Sequence, residues 1–434
     1  MSAAADGGNL PTDQSTSLAA EKLVGGGRAI AHNDGATWMV AGALPGERVR
    51  AKVIKRRAGI IEAGTLEVLS GIHPARLLDP CPQSGVCGGC DWPHVDLKAG
   101  ADLKAAAAAE AVRAFPDLAN RIASAPIHRS EGGYRLRARL HWDAGRKRLG
   151  FYEHRSYKVA PLDSCRILSP RFMRVLPKLT HALAKSCPAN VDLEWLEGTA
   201  AADTIAALRP SKGGPTQIDA AWVPGPDDLS SVVAGFHTLS RGGRLHRGWG
   251  ATEVRIELPI PLNVPIGSFF QGNRHLIGPL FRRVAELVGG DPAPVFDLHA
   301  GVGYLAAAAR FAAERELTLV EPHREAALAA GRNLPGARVV AGATAEAFVA
   351  DAGNLPPETM VITDPPRAGL SKHLRSHLAE WQPHRILMLG CDPATWARDT
   401  GFLCEHGYQP MVVEIFDLFP STHHIEILAL LESV

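Results

Sequence analysis

The stretch Pro294-Val295-Phe296-Asp297-Leu298-His299-Ala300-Gly301-Val302-Gly303-Tyr304 decides how this chain is read. An apolar run ends in an acid and turns at glycines into an alanine-rich segment. That order predicts a buried strand, a tight loop and a helix over 304–313. Glycines at such a turn let a ligand approach the free N–H groups at a helix start. The next apolar run, Leu317-Thr318-Leu319-Val320, ends in Glu321, a carboxylate suited to a ribose diol. A glycine loop after one strand and an acid after the next predict a nucleotide-binding α/β sheet. The D-x-x-x-G-x-G spacing favours S-adenosylmethionine over NAD, whose loop reads G-x-G-x-x-G.

Reading on from there, Val361-Ile362-Thr363 runs into Asp364-Pro365-Pro366-Arg367-Ala368-Gly369. Prolines fix the shape of that loop, which at a fourth strand end can hold a flat substrate beside a methyl donor. Ile386-Leu387-Met388-Leu389 leads to Cys391-Asp392-Pro393-Ala394-Thr395. A thiol at a strand end is a candidate nucleophile, although a lone cysteine is more often a small core residue. Glu426 interrupts an apolar strand run that continues to Leu431. A carboxylate is costly there without a partner or a task.

Upstream, 434 residues imply two or three domains, and 46% hydrophobic with 21% charged residues is a globular composition. The formal charge of +1 leaves only local basic patches for nucleic acid. No apolar run suits a membrane span, and the N-terminus lacks the order of a signal peptide, so a cytoplasmic protein is expected. Residues 1–18 read as a disordered tail. Short apolar runs broken by glycine and proline then predict a small β-barrel, with six basic residues and one acid between Glu47 and Arg57. Such a face is either a solvated strand or a platform for single-stranded nucleic acid.

Cys81, Cys87 and Cys90, separated by glycines, suggest a soft metal site, with Cys165 the best fourth ligand and Cys187 a weaker one. The thiols leave zinc and an iron–sulfur cluster equally open. Lys98 to Phe115 predicts a helix. Tyr134-Arg135-Leu136-Arg137-Ala138-Arg139-Leu140 alternates strictly and predicts a strand with one arginine face, aimed at phosphates. Between Arg129 and Lys158, nine Lys/Arg stand against three Asp/Glu. Tyr134 and Trp142 are candidate stackers for bases.

Taken together, Gly42-Ala43-Leu44-Pro45-Gly46-Glu47-Arg48-Val49, Gly133-Tyr134-Arg135, Phe269-x-Gln271-x-Asn273, the D-P-P-R-A-G loop, Cys391-x-Pro393-Ala394-Thr395 and His424-Ile425-Glu426 resemble the bacterial RNA 5-methyluridine methyltransferases. The likeness is to the ribosomal-RNA branch with a TRAM domain and a 4Fe-4S cluster, and it spans nearly the whole chain. It implies a multidomain protein: an OB-like TRAM barrel (19–75), a mixed central iron–sulfur and RNA-binding domain (76–255), and a Rossmann-like α/β methyltransferase domain (256–434). The helix at 98–116 would pack on the last of these.

The same resemblance implies Cys391 as nucleophile and Glu426 as general base. Gln271, Asp297, His299, Gly301, Tyr304, Glu321 and Asp364 would line the S-adenosylmethionine pocket. Cys81, Cys87, Cys90 and Cys165 would hold the cluster, while Tyr134, Arg135, Arg137, Arg139, Phe269, Asp364 and Arg367 would meet RNA. The partner implied is 23S rRNA and the chain would act as a monomer, with tRNA the rival substrate and a non-catalytic RNA-binding protein the rival class. The chain departs from the family pattern D-L-F-C-G-x-G-N at His299, Ala300 and Tyr304, has Ala343 where an asparagine is often found, and has Asp392 in place of asparagine.

Overall fold

A computed structural model describes residues 15–57, 59–200, 203–353, 355–356 and 358–434. The first unit is a six-stranded sheet made by β1 (Ser15–Ala19), β2 (Lys22–Val24), β3 (Arg28–Asn33), β4 (Ala36–Ala41), β5 (Arg48–Arg57) and β6 (Ile60–Ser70). Its order is β1-β5-β6-β4-β3-β2. Alternation places Val49 and Ala51 in the core and turns Arg48, Arg50 and Lys52 outward. Part of the expected tail lies outside the described residues. The rest is corrected: Ser15–Leu18 are strand, with Leu18 opposite Val49 and only 1% exposed. One well-buried leucine in register is enough to recruit so short a strand.

Glu47 latches this sheet to the segment that follows. Its fully buried carboxylate accepts from Arg76 Nε and Nη2 at 2.6 Å each, and from the amides of Leu44 (2.8 Å) and His73 (3.2 Å). Burial pushes the carboxyl up, yet these donors outweigh it and hold it below the usual range.

Next come α1 (Leu97–Ala111), α2 (Pro116–Ala123) and β7 (Ile127–His128). They precede the central sheet in sequence but pack with the C-terminal domain. Ala105, Ala108, Val112, Leu118 and Ile122 share a core with Trp396, Ile415 and Ile427. The central sheet comprises β8 (Arg137–Asp143), β9 (Arg148–Gly150), β10 (Val191–Glu197), β11 (Thr204–Pro210), β12 (Gly235–Leu239) and β13 (Leu245–Gly250). Helix α3 (Pro170–Ser186) covers it, and α4 (Pro226–Leu229) is a single turn; Phe172, Trp142, Trp195 and Phe236 fill the core between them. A hairpin of β14 (Glu253–Ile256) and β15 (Leu262–Pro265) leads onward.

The C-terminal domain alternates strand and helix: α5 (Ile277–Val288), β16 (Val295–Asp297), α6 (Tyr304–Ala312), β17 (Leu317–Glu321), α7 (Arg324–Asn333), β18 (Arg338–Ala341), α8 (Ala345–Asp351), β19 (Met360–Thr363), α9 (Lys372–Trp381), β20 (Arg385–Gly390), α10 (Pro393–Glu405), β21 (Tyr408–Phe416) and β22 (Glu426–Ser433). The sheet order is β18-β17-β16-β19-β20-β22-β21-β7. Strands β16 to β20 are mutually parallel, while β22 is antiparallel to both neighbours. The order reverses between β16 and β19, and in open α/β sheets ligands bind outside the strands' carboxyl ends at such a point. Because β22 runs the other way, its first residue, Glu426, lies at that same edge.

Candidate active site

Four strand ends build the site. After β16, Gly301 (φ +54°) and Gly303 (φ +89°) turn the chain into α6. A Cβ on Gly303 would lie 3.0 Å from Leu334, the residue that caps the C-terminus of the neighbouring α7, whereas one on Gly301 would meet nothing within 4 Å. The first glycine therefore faces open space and the second is needed for packing. Glu321, ending β17, accepts from the Gly301 amide (2.8 Å) and the His323 amide (2.6 Å), so it holds the loop in shape. Asp297 is fully buried and its Oδ2 has no hydrogen-bond partner among the described residues; burial pushes it up to about 7.

After β19, Asp364 accepts from Gln271 Nε2 at 3.1 Å, and Gln271 Oε1 is buried without a partner among the described residues. The loop that follows is braced from α10. Asp399 accepts from the Leu370 amide (2.6 Å) and Arg375 (2.5 Å), and Arg398 donates to the carbonyls of Ala368 (2.9 Å) and Leu370 (3.1 Å). Asp392, an unusual residue for its position, caps α10 by accepting from the Thr395 amide at 2.9 Å. Aspartate and asparagine serve equally as such caps, so this departure leaves the helix start intact.

After β20, Cys391 opens into a cleft of about 120 Å³ whose walls include Arg367, Pro393, His424 and the Gly25–Gly27 turn of the N-terminal sheet. Burial pushes its thiol up to about 12, helped by the Glu426 and Asp364 carboxylates and opposed by Arg367. Glu426 is 4% exposed with Oε2 unpartnered among the described residues. Burial and Asp364 raise it well above the ordinary carboxylate range, against Arg367; Asp364 is raised by its own burial. Arg367 in turn donates to His424 Nε2 at 2.7 Å. The set is thus one thiol, two carboxyls of raised proton affinity and one guanidinium.

The residues fit a cationic methyl donor. Three acids of raised affinity for protons, with unpartnered oxygens on Asp297 and Glu426, would all be steadied by a positive charge. His299 bonds Thr363 Oγ1 through Nδ1 (2.9 Å), and burial lowers it to about 4, so it is neutral. Tyr304 is not brought to the pocket. Its hydroxyl donates to Ile277 O at 2.5 Å and its ring packs edge-on against Phe270.

The expected arginine face is only partly free. Arg137 (3.5 Å) and Arg139 (2.9 Å) converge with Arg209 on Glu194. Arg135 lies over the Phe151 ring at 5.6 Å. Tyr134 is fully buried and its hydroxyl donates to Pro420 O at 3.2 Å, which removes it as a stacking platform. Phe269 (59% exposed) and Arg367 remain open to solvent. Sequence reading missed Lys104, which reaches Asp417 Oδ1 at 2.6 Å and Phe419 O at 2.9 Å, with the Lys104 and Asp417 side chains both buried. It also missed Glu194, although Asp192-Leu193-Glu194 alternates at the period of the arginines it opposes.

The metal expectation is corrected. Cys81, Cys87, Cys90 and Cys165 line one cavity with Phe151, Leu162 and Ile167. Yet among the described residues no group of three or more His, Cys, Asp or Glu is placed to hold a metal ion. All four are free thiols, and burial raises Cys87, Cys165 and Cys90, the last to about 12. Spacing brings them to one apolar wall without closing them into a ligand shell, so neither zinc nor an iron–sulfur cluster is assigned here. No helix among the described residues is long and apolar enough to cross a membrane.

Comparison with known proteins follows the same lines. The pattern of the family described as tRNA (Uracil-5-)-methyltransferase matches residues 357–434. The 23S rRNA (uracil(1939)-C(5))-methyltransferase RlmD of Pseudomonas aeruginosa is 30% identical over 451 residues, spanning 100% of this chain and 97% of that protein. Its counterpart in Pseudomonas entomophila is 31% identical over 465 residues, spanning 98% and 96%. Among solved structures, the Pyrococcus abyssi tRNA (uracil-54, C5)-methyltransferase in complex with S-adenosyl-L-homocysteine superposes with a TM-score of 0.72 at 20% identity, covering 96% of this chain and 100% of that one. That last likeness establishes a shared fold. End-to-end similarity to the RlmD proteins goes further: the chain belongs to the S-adenosylmethionine-dependent RNA (uracil-C5)-methyltransferases.

Proposed function

We propose that the substrate is a uridine of 23S rRNA, with Cys391 as nucleophile and Glu426 as general base. The observation that carries this is that a thiol and a buried carboxyl with an oxygen unpartnered among the described residues follow the last pair of the β20–β22 ladder, close enough for the Glu426 charge to act on Cys391. Uracil C5 is a poor nucleophile. Cys391 Sγ forms a bond to C6, and the C5=C6 electron pair moves towards O4 as an enolate. S-adenosylmethionine, when bound, supplies an electrophilic methyl group that C5 takes, leaving S-adenosylhomocysteine. Glu426 then removes the C5 proton, the C5=C6 bond reforms, and the C6–S bond breaks to release the thiolate. Arg367 lowers the cost of the thiolate and sits where it can also meet a phosphate. Asp364, Gln271, Asp297, Glu321 and the Gly301 turn would hold the donor, with His299 beside them.

The N-terminal sheet we read as a TRAM-like barrel that grips RNA through the outward face of β5, where Lys55 and Arg56 are exposed. The target base would be flipped into the Cys391 cleft, which is too small for a duplex.

Mass spectrometry of nucleosides from 23S rRNA and tRNA, isolated with and without the gene, tests the substrate. Loss of one 5-methyluridine from 23S rRNA is expected. A loss confined to tRNA would replace the substrate and keep the chemistry, and no change in either pool would overturn the proposal.

A further inference from the structure

The segment 417–424 leads directly into Glu426, and other parts of the chain hold four consecutive carbonyls in it. Asn273 Nδ2 donates to Leu418 O (2.9 Å), Lys104 Nζ to Phe419 O (2.9 Å), Tyr134 hydroxyl to Pro420 O (3.2 Å) and the Trp92 amide to Ser421 O (2.9 Å). These four donors come from the residues just before α5, from α1, from the segment leading into β8 and from the segment after Cys90. Asp91 adds a fifth hold, accepting from His423 N (3.2 Å) and pairing with His423 Nδ1 (2.7 Å). Ser421 adopts φ +62°, a conformation that needs outside support in a residue with a side chain.

The same clasp reaches the N-terminal sheet. Trp92, 2% exposed, donates its indole N–H to Gly27 O at 2.8 Å. A Cβ on Gly27 would stand 2.7 Å from His423 Cβ and 2.8 Å from Trp92 Nε1, so this turn is pressed against both. Such density of backbone restraint is far more than a surface loop needs to close between β21 and β22. The backbone at Cys391, in contrast, is placed by β20 and by the capped start of α10.

We propose that Tyr134, Lys104 and Trp92 are positioning residues for proton removal, acting through the 417–424 segment to fix Glu426 relative to Cys391. This rests on the roles given above to Cys391 and Glu426. Loosening the clasp leaves thiol addition intact and slows the step in which the C5 proton leaves and the C6–S bond breaks. The covalent intermediate then builds up.

The test uses the full-length protein with unmodified 23S rRNA transcribed in vitro and S-adenosylmethionine. Tyr134→Phe removes the hydroxyl that holds Pro420 O, and Trp92→Phe removes the indole N–H that ties the clasp to Gly27 O while the backbone amide still holds Ser421 O; each keeps a buried ring. Each variant is expected to lower kcat about five- to tenfold, the scale of one lost hydrogen bond, with donor KM unchanged. Each should also raise the share of protein trapped as an SDS-stable RNA adduct. Thermal unfolding separates this from general loosening, which would lower adduct and turnover together. Wild-type kcat in both variants, or an adduct that falls with kcat, overturns the positioning role. A wild-type protein that transfers no methyl group overturns the reading of the site itself, and this inference with it.

Discussion

Gly390 of β20 pairs with Ile427 of β22 as the last pair of their antiparallel ladder, so Cys391 and Glu426 are the next residues at the two adjoining strand ends. The Glu426 charge acts on the Cys391 sulfur, which places the two side chains near each other. A nucleophile and a base on adjoining strand ends can address the two adjacent ring carbons, C6 and C5, of a single pyrimidine. Cys391→Ser should therefore form no covalent RNA adduct. Glu426→Gln should form one and fail to resolve it, with turnover down by about 10² to 10⁴, the usual weight of a general base. Gel shift under denaturing conditions, alongside methyl transfer, distinguishes the two. Adduct formed by the serine variant would remove Cys391 from its role.

The charges around Cys391 predict its reactivity. Burial comes first in holding the thiol at about 12, and the Glu426 and Asp364 carboxylates add to it. Neutralising either acid, by Glu426→Gln or Asp364→Asn, should lower the thiol pKa and speed alkylation by iodoacetamide at a fixed pH. Arg367→Ala should slow it, because the arginine favours the thiolate. Rates followed against pH, with Cys391→Ser subtracting the other cysteines, give the order of the variants. An alkylation curve that Glu426→Gln leaves unmoved would mean that the carboxylate does not act on the sulfur.

What the sequence disclosed was local. Asp297, Glu321, Asp364 and Cys391 each end an apolar run, and an apolar run of that length becomes a strand whose end is a predictable place. Tyr134 and the arginines were misread because their partners are remote. Pro420 lies 286 residues from Tyr134 and Glu194 lies 55 from Arg139, so a basic stripe looked unpaired when it was partly neutralised. Lys104 was hidden for the same reason, one lysine in an alanine-rich helix with its acid 313 residues away. The cysteines misled in the opposite way. Short spacing guarantees proximity in the chain but not convergence of four sulfurs on a point.

Glu47 ties stability to pH. Its carboxyl is held below the ordinary value of 4.5 despite burial, because Arg76 and two amides favour the charged form. Its contribution is present in full above 4.5 and is lost as pH falls through the lower folded value. Glu47→Gln should cost about 1.5–3 kcal/mol at neutral pH, the weight of hydrogen bonds to a charged group. The gap in thermal midpoint between wild type and variant should narrow steadily below pH 4.5. A gap independent of pH would place the cost in shape and packing.

Lys104 and Asp417 make the most deeply buried ion pair in the described residues for which both partners matter to the site, with side chains 1% and 2% exposed. Burial pushes the lysine down and the aspartate up, each against the pull of its partner. Removing one charge strands the other, so Lys104→Met should cost about 3–5 kcal/mol. Replacing both, as Lys104→Met with Asp417→Leu, should recover most of that loss, since two apolar groups of similar size suit a dry site. Activity should not recover in step. The double variant still lacks the donor to Phe419 O, and that bond belongs to the clasp on the segment leading to Glu426. Thermal unfolding and kcat measured on the same preparations decide the matter: stability restored with turnover still reduced separates the positioning task of Lys104 from its part in the fold, whereas turnover restored along with stability would reduce Lys104 to a structural charge.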